Sequence, residues 1–466
     1  VLNSVRDTGR RRAPTLPLLA LLALLPLVVL AACGPRAEAV KAGLNTPAGF
    51  REATAPVLWP DPQWWGGFGS TELDRLMTET TAGNFDIAAA AARVRQADAQ
   101  LRIAGSALLP TLDAGSSGSR QRSNGISRSS YDLQLSASYE VDFWGRNRSN
   151  RESAEQNLRA SRFDAGAVAI TTEASLANSF FQVLATQQQL RVQTENLEAA
   201  RRILGVIRAQ VAAGVATGLD LAQQETVVAQ QEAQLPSLRQ TVAQGINAIA
   251  VLTGRPPQEF TLATTGFPAL RIPEASPGQP AELLARRPDV LAAEANLASA
   301  NANVAAARAA LLPSIVLQGQ GGFTSSAIGT LLRPDAQFYS LVASLAQTVF
   351  DGGALRGQVA LSRVQAEELL VAYRRAIVTA LQDVEDSLIA LRETTRQEEL
   401  RTEAATLAER ASSIAEAQLR AGTINVITLL NTQQSLFSAR ISLVEARLAR
   451  LQAAVGLFRA LGGGWR

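Results

Sequence analysis

Gln418-Leu419-Arg420-Ala421-Gly422-Thr423-Ile424-Asn425-Val426-Ile427-Thr428-Leu429-Leu430-Asn431-Thr432-Gln433-Gln434 interrupts a proline-free tract that runs from Asp335 to Arg466. Apart from this stretch and the Gly352–Gly353 pair, the tract is dominated by Ala, Leu, Arg, Glu and Gln, the strongest helix formers. Gly422 is therefore predicted to separate two long helices, in the left-handed cap that glycine takes without strain. The same wording occurs once earlier. Gln210-Val211-Ala212-Ala213-Gly214 answers Gln418 to Gly422, and Leu219-Asp220-Leu221 answers Ile427-Thr428-Leu429. That copy lies in its own proline-free tract, Thr111 to Leu235. The chain is a duplication, and its 466 residues are read as two copies of one programme rather than as unrelated domains.

Upstream of the first tip, Leu176, Val183, Leu190, Leu197, Leu204 and Val211 hold one heptad position without exception. A seven-residue apolar repeat makes neighbouring helices coil around one another. The helix is expected over Arg146 to Val211, and at 1.5 Å per residue it reaches about 100 Å. It returns from Asp220 to Gly254, with a kink expected at Pro236. Before it, Tyr131, Leu133, Leu135, Ala137, Tyr139, Val141 and Phe143 alternate strictly with polar residues, which predicts an amphipathic strand. A weaker strand precedes it, from Thr111 to about Arg120, and an alanine-rich helix is expected over Glu72 to Ser106. The second half repeats this. Leu291–Leu312 matches Ala88–Leu109, and strands are expected at Ser314–Phe323 and Phe338–Phe350. The offset between halves grows from 203 to 208 residues because the second strand loop, Thr324 to Gln337, is longer. Loops tolerate such insertions.

The organisation read from this is a segment 1–32, an extended arm 33–70, a first repeat 71–255, a connector 256–282 and a second repeat 283–466. The repeats carry β-hairpins at 110–143 and 313–350 and helical tips at 213–220 and 421–428. Trp59, Trp64 and Trp65 in the arm are expected to anchor packing. Three of the four tyrosines, Tyr131, Tyr139 and Tyr339, fall in predicted strands, as an interfacial girdle requires.

The beginning of the chain reads as a processing signal. Arg6, Arg10, Arg11 and Arg12 form a basic region, and Leu16 to Leu30 is almost wholly apolar, short of the roughly 20 residues of a spanning helix. Leu30-Ala31-Ala32-Cys33 resembles a bacterial lipobox, which implies cleavage before Cys33 and lipid attached there. Gly34 in place of Asp favours sorting to the outer membrane under that resemblance. Cleavage would remove four Arg and one Asp, leaving 40 basic against 40 acidic residues. The basic excess thus points to no nucleic-acid partner. Cys33 is the single cysteine, so no intramolecular disulfide is possible.

Four strands cannot close a membrane barrel, whose minimum is about eight. Open edges in lipid leave backbone groups unsatisfied, so strands must be pooled between copies. Two copies give eight strands and three give twelve, and spacing alone does not choose.

These features together resemble an outer-membrane efflux channel of the TolC type, in the lipoprotein subgroup that includes NodT and OprM. The resemblance rests on Trp64-Trp65-Gly66-Gly67-Phe68, Leu73-Asp74-Arg75-Leu76, Asp142-Phe143-Trp144-Gly145-Arg146, Leu252-Thr253-Gly254-Arg255-Pro256-Pro257, Arg286-Arg287-Pro288-Asp289-Val290, Ala309-Ala310-Leu311-Leu312-Pro313 and both glycine tips. It implies a mainly α fold with a membrane β-barrel: a homotrimer whose long coiled-coil helices form a periplasmic α-barrel and whose pooled strands form a twelve-stranded barrel. An equatorial belt would come from the connector and the C-terminal region. Implied partners are a periplasmic adaptor (a membrane fusion protein), an inner-membrane pump of the RND type and outer-membrane lipid.

The resemblance also places a periplasmic gate at Ile427, Thr428 and Asn431, with Asp220 tethering neighbouring tips. Read by itself, Asp220 is an ordinary solvated or capping residue. Ala213, Gly214, Leu219, Ala421 and Gly422 match the surface that meets the adaptor. No carboxylate lies between Arg420 and Gln434, a departure from the family's acidic ring that speaks against a cation-binding constriction. Catalysis finds no support: there are no histidines, the lone cysteine is assigned to lipid and no phosphate-binding glycine loop occurs. Asp383, Glu385 and Asp386 read as a solvated or lumen-facing stripe. No cofactor or metal is expected beyond the lipid on Cys33. Two rival readings remain: a non-pore, lipid-anchored periplasmic coiled-coil scaffold, and the same fold serving type I protein secretion.

Overall fold

The lengths of three pairs of helices recur in the two halves. In the computed structural model, which describes residues 43–44, 47–51, 57–263 and 266–464, the elements are α1 (Thr71–Gly83), α2 (Phe85–Ser106), β1 (Thr111–Ser123), β2 (Ile126–Glu140), α3 (Arg146–Ala212) and α4 (Gly218–Leu252). After the connector come α5 (Pro280–Leu284), α6 (Pro288–Ala309), β3 (Ser314–Ser325), β4 (Gln337–Ala346), α7 (Ala354–Arg420) and α8 (Val426–Ala460). Helices α2 and α6 both have 22 residues, α3 and α7 both 67, and α4 and α8 both 35. The segment 1–32 and Cys33 lie outside the described residues.

The helix expected over Glu72–Ser106 is two helices. Asn84 ends α1 in an extended conformation. Its side-chain oxygen then accepts from the Asp86 and Ile87 amides, capping α2. The alternation read as a strand over Tyr131–Phe143 also extends too far. Strand β2 begins at Ile126 and stops at Glu140, because Asp142 turns its carboxylate to the amides of Asn147 and Arg148 at the start of α3. Likewise β4 stops at Ala346 rather than Phe350, where the Asp351 carboxylate accepts from the Gly353 and Leu355 amides. Strands β1 and β3 run slightly past their expected ends, to Ser123 and Ser325. Pro236 lies inside α4 without ending it.

By their contacts the described residues group into two units, each drawing on both halves. One contains 103–153 and 300–364. Its centre is a four-stranded antiparallel sheet in the order β1-β2-β3-β4. The β1–β2 turn is Asn124-Gly125, both with positive φ (48° and 79°), the twist a two-residue hairpin requires. Register aligns Leu112 with Ala137, Leu135 with Gly321 and Gly321 with Tyr339. Alternation then gathers Leu112, Leu133, Leu135, Tyr139, Leu317, Phe323, Tyr339, Leu341 and Leu345 onto one face. The opposite face carries Asp132, Gln134, Ser136, Gln318, Gln320, Thr324 and Ser340. There the Asp132 carboxylate accepts from Ser117 on β1, from neighbouring Ser130, and from Thr324 on β3 at 2.6 Å. Gly322 lets β3 approach β2 closely; a Cβ there would collide with the Leu133 carbonyl oxygen.

The other unit contains 43–102, 154–299 and 365–464 among the described residues. Its main core joins the aromatic stretch before α1 to the middle of α3 and the end of α8. Trp64 stacks on Phe458 at 5.2 Å between ring centroids, and Phe68 meets Phe181 at 4.9 Å. Trp65 packs partly buried against the same cluster, which also takes Phe260, Phe267 and Leu270 from the connector. Trp59 lies under the Arg286 guanidinium at 4.6 Å, a cation–π contact. All three tryptophans are therefore packing anchors. Of the heptad positions, Leu176, Val183, Leu197 and Leu204 are buried, as a coiled seam requires. Arg287 is buried and binds Asp289 at 2.6 Å, Asp383 at 2.9 Å and the carbonyls of Ala380 and Ala460. Buried charge is tolerated only when paired in this way.

Candidate functional site

The two tips are built alike. Gly214 and Gly422 have φ of +75° and +69°. The amide after each glycine, Val215 or Thr423, bonds back to the carbonyl of Gln210 or Gln418. This is the glycine-terminated helix end in which otherwise orphaned carbonyls find donors. Each return helix is then capped differently. Thr217 caps α4, its hydroxyl accepting from the Asp220 amide while the Asp220 carboxylate accepts from the Thr217 amide at 2.8 Å and its hydroxyl at 2.7 Å. These bonds hold the Asp220 carboxyl below the usual carboxylate range. Asn425 caps α8, accepting from the Thr428 amide and hydroxyl at 2.9 and 2.8 Å.

A small apolar cluster fixes the tips together: Ile203 and Ile207 of α3, Ala415 and Leu419 of α7, and Val426 and Leu429 of α8. With Val426 and Leu429 buried, Ile427 between them points away and is 52% exposed. Thr428 and Asn431 are also exposed, as are Ala213, Gly214, Leu219, Ala421 and Gly422. The geometry thus brings every tip residue singled out in the sequence to one end of this unit. Asp220 is half-buried and spends its carboxylate inside its own chain. One apolar tip residue escaped the sequence reading: Val215, 75% exposed. Its position next to Gly214 was the available signal.

The acidic stripe on α7 is accounted for locally. Asp383 pairs with Arg287, Glu385 accepts from the Arg51 amide and Asp386 from the Gln382 side chain. Among the described residues no cluster of His, Cys, Asp and Glu has the grouping of a metal site. No helix among them is long and apolar enough to cross a membrane. The four-stranded sheet carries one apolar and one polar face. Its edge strand β4 exposes Tyr339, Leu341 and Leu345 at 88%, 84% and 70%. Edges β1 and β4 each present a row of backbone groups with no strand beside them among the described residues.

Comparison with known proteins matches the outer membrane efflux protein family at residues 76–255 and again at 280–463. The pyoverdine export outer membrane protein OpmQ of Pseudomonas putida is 41% identical over 439 residues, covering 91% of this chain and 93% of that protein. OpmQ of Pseudomonas aeruginosa is 40% identical over 455 residues, covering 94% and 95%. Among solved structures, the outer-membrane channel OprN superposes with a TM-score of 0.87 at 26% identity, covering 93% of this chain and 99% of that one.

Proposed function

The chain belongs to the outer membrane efflux protein family, and from that premise we propose that it is the exit duct of a tripartite efflux system. Three copies pool their sheets into a twelve-stranded barrel across the outer membrane. Lipid on Cys33 adds an anchor. A periplasmic adaptor docks on the tip surface at Ala213, Gly214, Leu219, Ala421 and Gly422, and an RND-type inner-membrane pump supplies the energy. Passage through this component is passive. The observation that carries the reading is the four-stranded sheet with one apolar face and two open edges. Such a sheet satisfies its backbone in lipid only by joining others into a closed barrel.

Ile427 is assigned to an apolar gate at the periplasmic end, with Thr428 and Asn431 beside it. The Asp220 capping box supports a local role for that residue over a tether between copies. Purified, acylated protein in planar bilayers tests both assembly and gate. The wild type is expected to migrate as a heat-modifiable oligomer and to conduct weakly, and Ile427→Gly to conduct more. A stable lone subunit without conductance would instead favour the coiled-coil scaffold. Unchanged currents in the variant would remove Ile427 from the gate.

Both OpmQ relatives are named for pyoverdine export, which supports a siderophore-class small molecule as cargo over a secreted protein. Expression in Pseudomonas putida lacking its own OpmQ should restore pyoverdine to the medium. Restored protein secretion without pyoverdine release would turn the reading to type I export.

A further inference from the structure

The β1–β2 turn carries Arg120, Arg122 and Arg128 within a stretch, Ser119 to Tyr131, that has no acidic residue. All three are exposed, and none has a carboxylate partner among the described residues. Register sorts them onto opposite faces. Arg120 pairs with Ser129 and Arg122 with Ser127, so both share the face of Leu112, Tyr131 and Leu133. Arg128 pairs with Gln121 and falls on the face of Asp132 and Gln134.

On the apolar face the strand sequence is a depth scale. The band runs from Tyr139 to Tyr131 on β2, and Tyr131 covers Gly118 of β1, its ring 3.3 Å from where a Cβ of Gly118 would lie. Arg120 and Arg122 follow on β1 two and four residues beyond, roughly 7 and 13 Å further along the strand. This is the turn end, opposite the end where the strands join α2 and α3. Two cations just past Tyr131, on the lipid-facing side, sit at headgroup depth.

We propose that Arg120 and Arg122 bind the phosphate groups of the phosphorylated glycolipid of the outer leaflet. The inference rests on the sheet spanning the outer membrane with its turns outward. Charge complementarity and continuity with the lipid-facing surface select this occupant. Arginine offers phosphate a paired-donor fork, whereas a solute in the pore would meet Arg128 on the other face instead.

The test uses the assembled, detergent-purified protein with purified lipid A, its dephosphorylated form as control, and the variants R120Q/R122Q and R128Q. Wild type should bind lipid A, and the double variant should bind about thirty-fold more weakly, at the usual strength of arginine near an anionic surface. R128Q should match the wild type, and dephosphorylated lipid should bind equally weakly to all. Unchanged binding in the double variant, or equal loss in R128Q, overturns the proposal. Heat-modifiable migration of each variant is scored in parallel. Loss of the oligomer in the wild type would refute the spanning barrel itself, a separate failure.

Discussion

Gly254 and Gly214 offer a matched pair of substitutions. Both end a long helix in the left-handed region, with φ of +73° and +75°. Both donate to the carbonyl three residues back, and the residue after each donates five back. They differ in what surrounds them. Nothing lies within 4 Å of a Cβ built on Gly214, whereas one on Gly254 would collide with the Gly83 carbonyl oxygen. The fit is reciprocal, since a Cβ on Gly83 would lie 2.8 Å from the Thr253 carbonyl oxygen. Alanine in the left-handed region costs about 1–2 kcal/mol at either site. At Gly254 the forced backbone shift adds about 1–3 kcal/mol. The predicted costs are therefore about 1–2 kcal/mol for Gly214→Ala and about 2–5 kcal/mol for Gly254→Ala. Native-state hydrogen exchange reads local opening directly. In Gly254→Ala the amides of Asn84, Thr253 and Arg255 should exchange faster by roughly thirty- to five-thousand-fold, while Gly214→Ala should speed Val215 and Ala216 by roughly five- to thirty-fold. Equal acceleration in the two variants would refute the reasoning, because the conformational cost is common and only the Gly83 contact differs.

Three further outcomes are expected. Gly322→Ala should abolish the heat-modifiable oligomer, because its Cβ meets β2 backbone, while Gly319→Ala should assemble normally, its Cβ meeting only the end of Leu341 at 3.2 Å. Thr217→Ala should cost about 1 kcal/mol of local stability at the first tip, read by exchange at Asp220 and Leu221. The Asp220 carboxyl is held low, so its part of the cap is complete above the ordinary carboxylate pKa and fades as pH falls through the lowered value. Glu173, half-buried on α3, is pushed up to about 7 by burial. From the ordinary carboxylate range up to that value the folded chain keeps a proton the unfolded chain has lost, so stability falls as pH rises through the window. Glu173→Gln should flatten this slope in melting temperature against pH and melt higher than wild type above pH 7.

Most of the helical plan was legible because long helices leave periodic evidence. The proline-free stretch from Arg146 and the heptad from Leu176 to Val211 predicted α3 almost to the residue, and the paired glycines marked both tips. Strand ends were less legible because alternation and capping use the same residue types. Val141 and Phe143 continue the period of β2, yet Asp142 between them serves the first turn of α3. The break at Asn84 did leave a signal, Gly83-Asn84 followed by Asp86, but the alanine-rich run that begins at Ala88 outweighed it. Burial of polar residues was also out of reach. Gln193 reaches Gln231 across α3 and α4 at 2.7 Å, and Gln224 reaches the Ala200 carbonyl; in sequence they look like solvent-facing glutamines. At the tips, the residues to watch were visible, but Asp220's occupation within its own capping box was not.

Identical residue counts in the paired helices make length a shared property. Adding one residue to α3 alone would swing everything beyond it by about 100° and advance its tip by about 1.5 Å past an unchanged α7. The small cluster of Ile203, Ile207, Leu419 and Leu429 would lose its mates. Insertions survive, then, where they are copied into both halves or fall outside the ruler altogether. The five extra residues between β3 and β4 are of the second kind.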